Sequence, residues 1–324
     1  MYPLKRNRRL RSSEAIRSMV REQQLAPSDF IVPLFVVEGS DIKEEIASMP
    51  DYYRMSLDHL KKEVQELWSM GLQTVLLFVK VPDTLKDNKG KEALNPEGLM
   101  QRAIALVKET APEMTVMTDV ALDPYSSFGH DGIVDKGVIV NDTTVEVLAQ
   151  MALSHAEAGA DFVAPSDMMD GRILAIRSLL EQEGFHNTGI LSYSAKYASG
   201  FYGPFRAALD SAPGFGDKKT YQMDFHNRKE ALVEAELDIE EGADIVMVKP
   251  GIAYLDIIRD LSNHIDVPLA AYQVSGEYAM LKAAAAKGWI EYDAIMYEQL
   301  IAFKRAGASL IATYCAKDAV RILG

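Results

Sequence analysis

The sequence predicts a (β/α)8 barrel, the TIM-barrel class of α/β fold, with an extended N-terminal arm. Three observations predict it. Eight short runs rich in β-branched and apolar residues recur along the 324 residues, most of them separated by segments long enough for a helix. Most of the runs are continuous rather than alternating in polarity, as expected of parallel strands buried on both faces. Four are preceded by one helix-stop signature: Met70-Gly71-Leu72, Ala158-Gly159-Ala160-Asp161, Glu241-Gly242-Ala243-Asp244 and Ala306-Gly307-Ala308-Ser309. A glycine there can take the left-handed conformation that ends a helix before the chain turns into a strand.

Taken in order, residues 1–29 form the arm, and residues 30–324 form the barrel. The strand candidates are Phe30 to Val37, Thr74 to Val79, Thr115 to Leu122, Phe162 to Asp167, Gly189 to Lys196, Ala243 to Pro250, Pro268 to Val274 and Ser309 to Cys315. Eight βα units favour a closed barrel over a doubly wound sheet, which usually has fewer strands and often a Gly-rich first turn. Neither G-x-G-x-x-G nor G-x-x-x-x-G-K-[ST] is present, which argues against nucleotide binding by those routes. No Pro-, Gly- or Ser-rich linker divides the barrel. The stretch from Gly200 to about Asn227, with Gly203-Pro204, Pro213-Gly214 and Gly216-Asp217, is a long connection of the kind that forms lids.

Composition narrows the function. Hydrophobic residues are 48% and charged residues 25%, which excludes a disordered or fibrous chain. The single cysteine, Cys315, excludes an intrachain disulfide framework and any multi-cysteine metal site. No apolar run is long enough for a membrane span and no signal-peptide stretch opens the chain, so a cytoplasmic protein is expected. Lys5, Arg6, Arg8, Arg9 and Arg11 crowd the arm, but a net charge of −13 opposes approach to a polyanion. The arm therefore reads as a solvated segment or a subunit contact, with no nucleic-acid or membrane partner.

In a (β/α)8 barrel the chemistry sits at the C-terminal ends of the strands. Those ends are polar here: Asp119 and Asp123 on the third, Ser166 and Asp167 on the fourth, Tyr193 and Lys196 on the fifth, Lys249 on the sixth, Ser275 after the seventh and Tyr314 on the eighth. Lys196 and Lys249 end neighbouring strands, about 4.8 Å apart. Mutual repulsion and partial burial both favour the neutral amine. Lowering a lysine from about 10.4 to roughly 7 or 8 corresponds to about 3 to 5 kcal/mol, within reach of those two effects. A neutral amine attacks a ketone, so Schiff-base catalysis is the implied class. Asp119 and Asp123 suit acid–base work, a hard cation or a helix cap. Arg206, Lys218 and Lys219 on the long loop could clamp a carboxylate, and His130 beside Asp131 reads as structural at least as readily as catalytic. A one-lysine aldolase is the alternative on these residues alone.

Ordered blocks along nearly the whole chain make the sequence resemble the porphobilinogen synthase (5-aminolevulinate dehydratase) family. The most specific runs from Gly242 to Tyr254 and contains Val246-Met247-Val248-Lys249-Pro250-Gly251. Others are Thr118-Asp119-Val120-Ala121-Leu122-Asp123-Pro124-Tyr125, Gly129-His130-Asp131-Gly132, Ala164-Pro165-Ser166-Asp167, Ser192-Tyr193-Ser194-Ala195-Lys196, Phe201-Tyr202-Gly203-Pro204-Phe205-Arg206 and Tyr272-Gln273-Val274-Ser275-Gly276-Glu277.

The resemblance implies condensation of two 5-aminolevulinate molecules into porphobilinogen with loss of two waters, in tetrapyrrole (heme) biosynthesis. It implies Lys249 as Schiff-base residue for the P-site substrate, Lys196 for the A-site substrate, and Asp119 for proton transfers. Ser166, Tyr193 and Tyr272 would line the site, Ser275 and Tyr314 would hold the P-site carboxylate, and Arg206, Lys218 and Gln222 the A-site carboxylate, under a lid containing Phe205. Lys218 and Lys219 remain alternatives. Zinc-dependent members place three cysteines where this chain has Ala121, Asp123 and Asp131, so the resemblance is to the magnesium-responsive type. It implies activating Mg²⁺ near Glu234, no catalytic zinc, and a homo-octamer joined through the arm. Whether Asp123 and Asp131 hold a metal stays open.

Overall fold

The structure, a computed structural model, describes residues 3–209 and 213–323. Eight parallel strands close into a barrel: β1 (Phe30–Val37), β2 (Thr74–Lys80), β3 (Thr115–Val120), β4 (Phe162–Pro165), β5 (Gly189–Lys196), β6 (Ile245–Lys249), β7 (Leu269–Tyr272) and β8 (Leu310–Ala312). They pair in sequence order, and β8 returns to β1 through Phe30↔Ile311 and Ile31↔Ala312. All eight residues of β1 and all five of β6 are buried, which accounts for the unbroken apolar runs.

The expected strands are present, and several stop earlier than their apolar runs. β4 ends at Pro165 and β8 at Ala312, although the next N–H of each still bonds to the neighbouring strand, Ser166 to the Val120 carbonyl and Thr313 to the Ile31 carbonyl, both at 3.1 Å. The four helix-stop glycines all have positive φ: Gly71 at 79°, Gly159 at 104°, Gly242 at 107° and Gly307 at 117°. The residue after each donates its N–H back into the last helical turn, as from Leu72 to Leu67 and from Ala243 to Asp238, so the stops bind the helix ends as the pattern predicts.

Two features exceed the sequence reading. A small antiparallel pair, Lys43–Glu45 with Tyr53–Met55, extends the sheet beside β1. The long connection after β5 is partly helical, with a helix over Gly203–Leu209. Residues 210–212 of that expected lid lie outside the described residues. In the arm, Leu4, Leu10, Met19 and Val20 are exposed, whereas Leu25 is buried and Asp29 pairs with Lys304 at 3.0 Å. The segment from Leu25 onward therefore packs on the barrel. No helix among the described residues is long and apolar enough to cross a membrane.

Candidate active site

β5 and β6 are paired so that Lys196 stands opposite Lys249, each the last residue of its strand. Both are buried, with 7% and 4% exposure. Along with Asp119, Asp123 and Ser166 from the β3 and β4 ends, they line one cavity of about 30 Å³. Tyr202, Phe205, Arg206, Lys218 and Gln222 close it from the lid side. That space holds a few waters and not two substrates.

The two amines have different surroundings. Lys249 Nζ lies 4.4 Å from the ring centroid of Tyr272, 4.9 Å from those of Tyr193 and Phe205, and 5.5 Å from that of Tyr202. Among the described residues it has no hydrogen bond and no ion pair. Burial, with the Lys196 charge alongside, brings its amine down to about 7. Lys196 Nζ donates to the Ser166 carbonyl and stands 3.4 Å from Asp131 Oδ2.

Asp119 is buried, and among the described residues its Oδ1 has no hydrogen-bond partner. Burial and the neighbouring Asp123 carboxylate push it up to about 7. Tyr193 Oη and Gln222 Oε1 are also buried without partners among the described residues. Unpaired buried polar atoms are costly, so these three are free to meet a ligand or water.

Lys218 reaches into the same region, with Nζ 2.5 Å from Asp131 Oδ1 and 3.3 Å from Asp123 Oδ2. Burial works against its charge, but the two carboxylates outweigh it and hold the ammonium above its ordinary value. Those ammonium contacts, with burial opposing them, hold Asp131 below the usual carboxylate range. Lys219, the alternative, points outward to Asp217 at 3.6 Å and is 69% exposed.

The remaining expected residues divide by position. Tyr272 and Tyr314 face each other with hydroxyls 3.1 Å apart. Ser275 Oγ accepts the Phe205 N–H at 2.9 Å, tying the lid helix to the turn after β7. His130 is structural: its Nδ1 lies 3.1 Å from the Tyr221 hydroxyl and its Nε2 3.0 Å from the Phe215 carbonyl, both on the lid. Glu234 is apart from this cavity, lining a larger one of about 780 Å³ with Asp170 and Glu230.

One site residue escaped the sequence reading. Tyr202 lines the cavity and its hydroxyl donates to the Lys249 carbonyl at 3.1 Å. Its sequence signal is its place in the block Phe201-Tyr202-Gly203-Pro204-Phe205-Arg206, which assigns it no role.

A barrel mouth with two buried lysines in register, one of them held near neutrality, leads directly to the comparisons with known proteins. The family described as "Delta-aminolevulinic acid dehydratase" matches residues 4–322. The chain belongs to the delta-aminolevulinic acid dehydratase family. It is 54% identical to the Bacillus subtilis delta-aminolevulinic acid dehydratase over 98% of each chain. To the Synechococcus elongatus enzyme of that name it is 50% identical over the full length of both. A crystal structure of delta-aminolevulinic acid dehydratase (porphobilinogen synthase) from Toxoplasma gondii ME49, in complex with the reaction product porphobilinogen, superposes with a TM-score of 0.97 at 52% identity. That match covers 98% of this chain and 91% of the other. The chain is accordingly an enzyme of the porphobilinogen synthase class, a hydro-lyase built on a (β/α)8 barrel.

Proposed function

We propose that the chain condenses two 5-aminolevulinate molecules into porphobilinogen through Schiff bases on both Lys249 and Lys196. The observation that carries this reading is the register pair itself: two buried primary amines, on adjacent strands, facing one lid-covered cavity. An aldolase needs only one.

Lys249, as the free amine, adds to the keto carbon of the P-site substrate, and the former keto oxygen leaves as water when the imine forms. Lys196 does the same with the A-site substrate. Two ketones become two imines, which accounts for both waters. One imine loses a proton to become an enamine, whose carbon adds to the other imine carbon; loss of a further proton eliminates that lysine as the amine, and a substrate amino group adds to the remaining imine carbon, from which the second lysine leaves as the amine. Asp119, held near 7, gives and takes protons at these steps around neutral pH. Ser166 and Tyr193 line the reacting centre. Ser275 with Tyr314 receive the P-site carboxylate, and Arg206, Lys218 and Gln222 the A-site carboxylate, as the lid carrying Phe205 over 200–227 closes. Lys218 would exchange its Asp123 and Asp131 contacts for substrate.

The residues present do not suit a thiolate zinc centre. Cys315, the single cysteine, is buried beside the Tyr292 hydroxyl at 3.6 Å, and the Lys218 ammonium occupies the carboxylates of Asp123 and Asp131. Mg²⁺ suits the Glu234 cavity. Burial and the charges of Asp238, Asp170 and Glu230 raise Glu234 against the lowering effect of Arg172. Asp170, Glu230 and Glu234 offer that cavity carboxylate oxygens, the donor type a hard cation prefers, beside His130 and Lys219. There it would supply positive charge remote from the lysines. The exposed arm, with Leu4, Leu10, Met19 and Val20 uncovered, suits a contact with further copies in a homo-octamer, in the cytoplasm.

The test is porphobilinogen formation from 5-aminolevulinate, with and without Mg²⁺ and chelator, alongside borohydride trapping and peptide mapping. Adducts on both Lys249 and Lys196, and activity that rises with Mg²⁺ and does not require zinc, are expected. Trapping by sugar phosphates alone, strict zinc dependence, or full activity after exhaustive Mg²⁺ removal would each contradict a part of the reading.

A further inference from the structure

Glu277 is the third residue of the helix Ser275–Ala286 and is buried, yet the chemistry above gives it no role. Its Oε2 accepts the Val274 N–H at 2.9 Å, an ordinary return contact at a helix start. Its Oε1 does something a cap does not require: it accepts the Ile252 N–H at 2.7 Å. Ile252 lies three residues beyond Lys249, and Val274 lies two beyond Tyr272. One carboxylate thus joins the turn leaving β6 to the turn leaving β7.

The joint has no slack. A Cβ on Gly251 would lie 2.4 Å from the Phe303 ring and 2.8 Å from the Tyr272 carbonyl. A Cβ on Gly276 would lie 2.4 Å from the Phe201 carbonyl at the base of the lid. Burial pushes Glu277 up to about 7 despite the backbone N–H groups of Val274, Ile252, Ala253 and Gly251, so the group is held in an unfavourable place by what it ties together.

We propose that Glu277 is a positioning residue for Lys249, its two-handed grip on Ile252 and Val274 holding the β6 exit so that Nζ stays among the rings of Tyr193, Phe205 and Tyr272. The inference rests on Lys249 being a Schiff-base nucleophile. Lys196, on β5, shares no hydrogen bond or ion pair with Glu277 and serves as the internal control. In Glu277→Gln one acceptor becomes an NH2 group facing an N–H donor, so one of the two ties is lost while size is kept.

Borohydride trapping with 5-aminolevulinate, mapped by mass spectrometry on wild type, Glu277→Gln and Glu277→Asp across a pH series, tests it. Expected is trapping at Lys249 slowed at least about tenfold in Glu277→Gln, with Lys196 changed by less than about twofold and the Lys249 pH midpoint displaced. Glu277→Asp, which keeps the charge, should recover part of the rate; if Glu277→Gln fails to fold, Glu277→Asp must still slow Lys249 more than Lys196. Equal slowing at both lysines, or none at Lys249, reduces Glu277 to a helix cap and overturns the inference. Absence of any Lys249 adduct in wild type would instead overturn the Schiff-base reading.

Discussion

Lys249 and Lys196 are the same residue type, at the same height, on neighbouring strands of one barrel, and they live in opposite surroundings. The Lys249 pocket is aromatic, with four rings within 5.5 Å of Nζ and no anionic partner. The Lys196 pocket is polar, with the Ser166 carbonyl and Asp131 in reach and the Lys218 ammonium on the other Asp131 oxygen. The contrast teaches that strand position supplies the amine, whereas the neighbours determine when it reacts. On the proposed mechanism, the unpaired amine among rings is the more readily available nucleophile, and the one bound to a carboxylate has that contact to give up first.

Deleting each amine should break the symmetry most strongly. Lys249→Ala is expected to lose about 10⁶-fold in rate, the scale seen when a covalent nucleophile is removed. Lys196→Ala should lose less, about 10²-fold, because the amino group of one substrate can attack the other ketone directly without that imine. The measurement is porphobilinogen formation for both variants, with trapping at the surviving lysine. Equal losses would mean that the two pockets act as one unit.

The pH dependence sharpens the same contrast. With its amine down to about 7, Lys249 is protonated and unreactive below that value and free above it. Adduct formation at Lys249 should therefore rise about tenfold between pH 6 and pH 8 and then level. An amine at the ordinary value would keep gaining to about pH 10. Single-turnover trapping against pH, read separately at the two lysines, checks it; a Lys249 rate still climbing above pH 9 would mean that burial among the rings does not lower the amine.

Much of this was legible in the sequence because it depends on residue type at a strand end. The runs ending in Lys196 and Lys249, and the glycines at 71, 159, 242 and 307, state the barrel and its mouth without any tertiary information. The contrast between the pockets was not legible. Tyr202 and Phe205 come from the lid, Tyr193 from β5 and Tyr272 from β7, and only the closed barrel gathers their rings around one nitrogen. The choice between Lys218 and Lys219 was equally hidden. Adjacent residues of one loop point to opposite sides, and the Asp123 and Asp131 carboxylates that draw Lys218 inward lie about ninety residues away in sequence. Strand ends were less sharply legible for a related reason: Ser166 and Asp167 after Pro165, and Thr313 and Tyr314 after Ala312, are buried like strand residues although they lie beyond the strands.

The smallest expected effect isolates a single contact to the Lys249 backbone, that of Tyr202. Tyr202→Phe keeps the ring 5.5 Å from Nζ and removes only the hydroxyl that donates to the Lys249 carbonyl. That carbonyl also accepts the Tyr197 N–H at 2.9 Å, so the substitution leaves no buried acceptor unpaired. The loss should be about 1 kcal/mol, or roughly fivefold in rate. Because the ring and its exclusion of water remain, the pH midpoint of Lys249 trapping should stay where it is in wild type. Steady-state kinetics beside the trapping series separate the two: a fivefold fall in kcat with an unmoved midpoint assigns the hydroxyl to holding the strand end. A midpoint that moves upward would assign it to the electrostatics of the aromatic pocket, and the line between the two lysine environments would then run through the lid as well as through the barrel.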